Sequence, residues 1–154
     1  LSADVVSKPF CRADLVNLSS AAEDYEMDVR TLPISFADKR GEIIDVLQRE
    51  PIEYATIIHS RKDAVRANHY HKETWQWLYV LSGKLRAVSQ MPDQAPTEAI
   101  MGPNDLILSV PHERHAFEAL EDTTFLVLTR GPRGGEDYEK DTFRLEVPLI
   151  APRS

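Results

Sequence analysis

Beyond Ile52 the chain is cut into short apolar runs that recur about every ten residues, and no stretch between them carries a strong helical period. IEYATIIHS (52–60) is rich in β-branched and aromatic residues. QWLYVLSGKLRAVSQ (76–90) holds two such runs joined around Ser82-Gly83, where a hairpin turn is expected. DLILSV (105–110), HAFEAL (115–120) and TTFLVLTR (123–130) follow, bounded by Gly102-Pro103, Pro111 and Glu121-Asp122. GPRGGED (131–137) reads as a loop. Proline supports these divisions, because Pro33, Pro51, Pro92, Pro96, Pro103 and Pro111 all fall between strand candidates, where a missing backbone donor costs least. Trp77, Tyr79 and Leu81 alternate with Leu78 and Val80, so this strand is apolar on both faces. The pattern predicts an all-β sandwich or barrel.

A chain of 154 residues is long enough for one domain with a substantial core. Residues 1–35 are unlike the rest and read as an N-terminal extension, with a short helix expected over about Ser20 to Val29. The barrel domain is assigned to 36–154. The formal charge of −7 argues against a nucleic-acid or anionic-membrane surface, both of which need clustered basic residues. The lone cysteine, Cys11, excludes an internal disulfide. No apolar run approaches membrane-spanning length, and LSADVVSKPFCRADL lacks the charged and apolar blocks of a signal peptide, so a cytoplasmic location is expected.

The chemistry concentrates in RANHYHKETWQ (66–76). His69 and His71 stand two positions apart, so on an extended strand both side chains leave the same face, roughly 6.5 to 7 Å apart at the backbone. Gln76 follows beyond a turn expected at Lys72-Glu73-Thr74; if it faces inward, Leu78 and Val80 share its interior. His115 lies on a later strand with Phe117 and Ala119 at the same parity. Burying four such polar groups in a small barrel is costly without a ligand or full pairing. His59 and His112 have no partner at such spacing and read as structural residues. Tyr70 points away from the histidines. Trp75, Trp77 and Tyr79 read as core or subunit-interface residues, and Asp137, Glu139 and Asp141 as a solvated acidic face, with Tyr138 within reach of a barrel mouth.

The pattern resembles the cupin superfamily, the small jelly-roll or double-stranded β-helix barrels of the RmlC-like type. The first cupin motif, His-x-His, then Glu, then Gly, is matched by His69, His71, Gln76 and Gly83. The second is matched in part by Gly102, Pro111 and His115, without a glycine inside the turn. Gln76 stands where metal-binding cupins usually carry glutamate, which leaves the site about one unit more positive. FADKRGEI (36–43), VRANHYH and the tail EDYEKDTFRL (136–145) are similar to nucleotide-sugar cupins. In dTDP-keto-sugar isomerases an Arg-Gly-x-His-Ala-His segment followed by Gln corresponds to Arg66, His69, His71 and Gln76, with Ala67 in place of the glycine.

That resemblance implies an isomerase or epimerase of a nucleotide-linked keto-sugar, working without a metal. An imidazole with an ordinary pKa near 6.5 can remove and return a proton beside a carbonyl, which assigns His69 and His71 to proton transfer. Gln76 is assigned to the carbonyl or enediol oxygen through its NH2 group, and Arg66 or Arg86 to a diphosphate. Two other classes stand beside it. One is a metal-dependent cupin, a dioxygenase or small-acid isomerase, with iron, manganese, nickel or zinc on His69, His71, Gln76 and His115. The other is a non-catalytic small-molecule-binding barrel. The resemblance also implies a homodimer, for which residues 1–35 and an exposed face bearing Trp77 and Tyr79 offer material.

Overall fold

The structure, a computed structural model, describes residues 27–153. Cys11 and nearly all of the helix expected near Ser20–Val29 lie outside the described residues. The described chain is built from strands β1 (Val29–Thr31), β2 (Phe36–Asp38), β3 (Gly41–Ile43), β4 (Tyr54–Ser60), β5 (Val65–Tyr70), β6 (Trp75–Ser82), β7 (Leu85–Gln90), β8 (Thr97–Met101), β9 (Asp105–Ser109), β10 (Arg114–Ala119), β11 (Thr123–Arg130) and β12 (Phe143–Arg144), with one 3-10 turn at Gly135–Asp137. Two five-stranded antiparallel sheets face each other, in the orders β1-β9-β6-β11-β4 and β12-β5-β10-β7-β8. β2 and β3 form a separate small hairpin. This is the jelly-roll arrangement of the cupin barrels. Among the described residues no helix is long and apolar enough to cross a membrane.

Alternation along each strand sends one set of side chains into the barrel and the other outward. Leu78, Val80, Leu85, Ala87, Met101, Ile107, Phe117, Phe125 and Val127 meet inside as the main core. Gln76 shares the parity of Leu78 and Val80, as expected from the sequence, and is buried at the polar end of the same interior. The outward residues are covered as well. Trp77, Tyr79, Leu106 and Leu108 pack with Leu32 beneath Ile44, Val46, Leu47 and Ile52. Trp77 and Tyr79 are therefore only 3% and 6% exposed, and the aromatic face considered for a dimer is occupied by the chain itself. On the other sheet, Val88 and Ala116 are covered by Ile150 and Leu149 of the C-terminal segment.

The end of the stretch read as an extension over 1–35 packs on the barrel, since β1 pairs with β9 and Leu32 is buried. One expectation changes. The turn at Ser82-Gly83 does not close a hydrogen-bonded hairpin, because β6 and β7 belong to opposite sheets. A continuous pair of apolar runs looks the same in sequence whether the chain folds back within a sheet or crosses between two.

Gly83 makes that crossing with a φ of +89°. A Cβ there would meet the Thr123 hydroxyl and would lie 2.7 Å from the Thr123 Cα, so neither the conformation nor the space admits a side chain. Gly83→Ala is expected to lower stability by about 2 kcal/mol or more, measured by equilibrium denaturation. A loss below about 0.5 kcal/mol would show that the turn relaxes freely.

Candidate active site

β5 and β10 pair side by side and set His69 directly opposite His115. Between this pair and the next, Ala67 opposite Ala116, the register slips by one, so Asn68 is a bulged residue. Ala67 and Asn68 both adopt left-handed φ values, +68° and +55°. Such backbone is strained for residues with a Cβ and persists only where the surroundings hold it. Here Asn68 is fixed through its amide, which donates to the Ile150 carbonyl (2.9 Å) and accepts from the Ile150 N–H (3.2 Å). The Leu145 N–H donates to the Asn68 carbonyl (2.9 Å). The C-terminal segment thus holds the kink that aims His69 inward.

His69, His71 and His115 form one buried cluster, with ring centroids 4.7, 4.8 and 5.3 Å apart. His71 Nδ1 donates to the Asp141 carbonyl (2.6 Å), and His115 Nδ1 to the Glu113 carbonyl (3.2 Å). Each pairing leaves Nε2 as the nitrogen with a lone pair. His69 Nε2 is buried without a hydrogen-bond partner. Burial, with the nearby His71, Arg133 and Arg144, brings the His69 pKa down to about 3. Burial and the neighbouring histidines hold His115 well below its ordinary value. Burial likewise lowers His71, against the Asp141 carbonyl, which raises it. All three are neutral imidazoles near pH 7.

A cavity of about 240 Å³ opens on this cluster. Its polar wall carries His69, His115, Gln76 and Arg133; Arg66, Arg144 and Tyr138 also line it, and Ile58, Leu78, Phe117, Phe125 and Val127 supply apolar surface. His71 does not line the cavity and is packed behind it. His69 and His115 do line it, side by side across the β5–β10 pairing with their rings edge to face.

Gln76 is oriented with its carboxamide oxygen on Arg133, which donates to it through Nε (3.0 Å) and Nη1. Its amide nitrogen is then turned toward His71. The NH2 group assigned to a substrate oxygen is thus on the His71 side of the carboxamide, opposite Arg133. Arg133, from the loop after β11, is a cavity residue that sequence reasoning missed. Its guanidinium lies over the Tyr138 ring (5.0 Å to the centroid), and burial lowers its pKa. Among the described residues it forms no ion pair. The available signal was an arginine in a glycine-rich loop directly after a strand, in GPRGGED.

Asp141 was also misplaced by the sequence reading, which put it on a solvated face. It is 4% exposed, and its carboxylate accepts from the N–H groups of Lys72 (2.8 Å), Glu73 (3.0 Å) and Thr74 (2.8 Å) and from the Thr74 hydroxyl (2.7 Å). Those bonds and the Thr74 hydroxyl hold its pKa low against the cost of burial. Asp137 and Glu139 do face solvent, paired with Lys140 and Arg144.

Arg66 reaches the cavity rim and donates to Ser60 Oγ (2.5 Å) and the His59 carbonyl (3.1 Å). Arg86 does not reach the cavity. Leu85, Ala87 and Ser89 take the inward parity of β7, so Arg86 points outward and pairs with Glu98 (2.7 Å) and Glu118 (3.3 Å). His59, bonded to Thr124 Oγ1 (2.9 Å), and the exposed His112 stand apart from the cluster.

The three histidines have the geometry to hold a divalent ion. One ring nitrogen from each lies within 4.8 Å of the others, and the backbone carbonyls orient His71 and His115 as metal-bound imidazoles usually are. Gln76 does not fit as a fourth ligand, because its oxygen is engaged by Arg133.

No family model and no curated protein matches the chain. Solved structures do. The chain is similar to the QdtA 3,4-ketoisomerase of Thermoanaerobacterium thermosaccharolyticum, in complex with TDP, at 23% identity and TM-score 0.62 over 79% of this chain and 88% of that one. It is similar to the WlaRB TDP-quinovose 3,4-ketoisomerase of Campylobacter jejuni at 15% identity and TM-score 0.66, over 77% and 92%. The RmlC dTDP-6-deoxy-D-glucose-3,5-epimerase of Legionella pneumophila, in complex with dTDP-4-keto-L-rhamnose, matches at 14% identity and TM-score 0.64, over 77% and 72%. At these identities the likeness establishes the RmlC-like cupin fold.

Histidines that stay neutral when folded but take up protons near pH 6.5 when unfolded link stability to pH. Their contribution is fully present above that value and is lost as pH falls toward the folded pKa, about 3 for His69. Each should remove up to about 1.4 kcal/mol per pH unit below 6.5. The denaturation free energy is therefore expected to drop between pH 7 and pH 5, with a shallower slope in His69→Gln. Identical slopes in the two proteins would mean that His69 is charged in the fold.

Proposed function

We propose that the cavity is the active site of an isomerase or epimerase acting on a keto-sugar carried by a nucleoside diphosphate. The observation that carries this reading is the pair of neutral imidazoles, His69 and His115, side by side on one wall beside a guanidinium without an ion-pair partner among the described residues. The likeness to ketoisomerases and epimerases of TDP-sugars supports it.

His69, whose Nε2 has no hydrogen-bond partner, takes the proton from the carbon beside the carbonyl. The C–H electron pair becomes the C=C bond of an enediolate, and the carbonyl π pair moves onto oxygen. His115 or the same His69 returns a proton at the other carbon. In ketoisomerisation a hydroxyl proton passes between the two oxygens; in epimerisation the proton returns to the opposite face of the original carbon. The low pKa of His69, about 3, makes it a weak base on its own. A bound diphosphate near Arg66 and Arg144 offsets part of the positive field and raises it. Apolar residues across the cavity exclude water from the sugar, which strengthens these electrostatic interactions.

A second reading is favoured by the ring-nitrogen geometry: a divalent ion held by His69, His71 and His115, acting as a Lewis acid when bound.

Incubation with a dTDP-linked 4-keto-6-deoxyhexose in D2O, followed by NMR, is expected to show deuterium entering beside the carbonyl. His69→Asn and His115→Asn should each slow exchange at least about 100-fold, and Arg66→Ala should weaken binding about tenfold through loss of charge-assisted hydrogen bonds. No exchange above the solvent background would overturn the isomerase reading. Elemental analysis of protein purified without chelator separates the two readings. A full equivalent of iron, manganese, nickel or zinc, lost in His115→Ala together with activity, would establish the metal-dependent one.

A further inference from the structure

Gln76 is where this chain departs from the metal-binding cupin pattern, and its surroundings give a reason. Its partner is Arg133, whose guanidinium donates to the carboxamide oxygen through Nε and Nη1. A hydrogen-bonded line runs behind that contact. The Asp141 carbonyl accepts from His71 Nδ1, and His71 lies beside Gln76. The Asp141 carboxylate in turn grips the backbone of Lys72, Glu73 and Thr74. Arg133 is thus held in one orientation on the cavity wall, beside His69 and His115.

A glutamate at 76 would hold Arg133 equally well and would neutralise it. The neutral carboxamide holds the guanidinium without cancelling its charge, at a place where burial makes an uncompensated cation expensive. Among the described residues no carboxylate pairs with it.

We infer that Arg133 is a catalytic residue that binds the anionic oxygen of the ligand at the histidine cluster, and that Gln76 is the positioning residue that keeps its charge available. Resting on the isomerase reading, the oxygen is the one formed at the substrate carbonyl when His69 takes the neighbouring proton. The guanidinium donates to that oxygen through its remaining N–H groups, and the negative charge develops within the field of a fixed cation. Gln76 then acts through Arg133 rather than on the substrate.

The test uses formate as a minimal planar oxyanion and needs no turnover. Formate is titrated into the full chain while the ring resonances of His69 and His115 are followed by NMR. Saturable shifts are expected for the wild type in the millimolar range. Arg133→Met and Gln76→Glu should each weaken formate at least tenfold, the first by removing the cation and the second by neutralising it. Arg40→Met, which removes an exposed charge paired with Asp38 outside the cavity, should leave formate binding unchanged. Arg133→Lys keeps the charge and should bind formate more tightly than Arg133→Met, which keeps the test decisive if the methionine variant folds poorly. Absence of saturable shifts in the wild type, or wild-type affinity in Arg133→Met or Gln76→Glu, would overturn the inference. Formate binding with this dependence, in a protein that exchanges no sugar proton, would uphold Arg133 as an anion site and sink the keto-sugar reading alone.

Discussion

Three imidazoles, a carboxamide and a guanidinium lie in or around the interior of one small barrel, and the need to give each buried polar group a partner shapes much of what surrounds them. The apolar core fills one part of the space between the sheets. The other part is organised by segments brought from elsewhere in the chain. The loop after β11 supplies Arg133 and Asp141, the turn after His71 supplies the backbone donors that bind Asp141, and the C-terminal segment pins Asn68. Without these, several of the buried groups would be unsatisfied, each at a cost of about 1–3 kcal/mol.

The kink at Ala67 and Asn68 belongs to the same logic. A regular β5 would have kept His69 and Ala67 at one parity opposite β10. The bulge inserts one residue and changes the aim of the strand just before the histidines. Two consecutive left-handed residues cost energy, and the energy is supplied by hydrogen bonds from Ile150 and Leu145, far away in sequence. Glycine in the related Arg-Gly-x-His pattern would relieve the strain at the first of these positions. Ala67 adopts the left-handed conformation with a Cβ present, directly before the Asn68 that the C-terminal segment clamps.

What was legible in the sequence was what repeats or pairs locally. The run of Gln76, Leu78 and Val80 gave the inward face of β6, and the His-x-His spacing with His115 pointed to the cluster. Parity within β7 was equally readable, and applying it would have turned Arg86 outward from the start. Arg133 and Asp141 were harder to see, because their roles come from long-range closure. An acidic residue in the run Asp137, Glu139, Asp141 looks solvated until the fold brings the Lys72–Thr74 backbone against it. Likewise His71 matched its motif by spacing, yet only the packing of the loop after β11 places it behind the cavity rather than on its wall.

The substitution of glutamine for glutamate at 76 joins these points. In a barrel with three histidines, a glutamate would add a fourth ligand and a negative charge, both of which favour a dication. Here the loop after β11 brings its own cation to that position, and the same side chain serves as its acceptor. A divalent ion and a fixed guanidinium within one low-dielectric site repel each other, so Arg133 weighs on the metal-dependent reading as much as the histidines do. The cluster sets neutral imidazoles beside the positive field of Arg133, and the proposed chemistry, in which an oxyanion develops beside an imidazole, would draw on both.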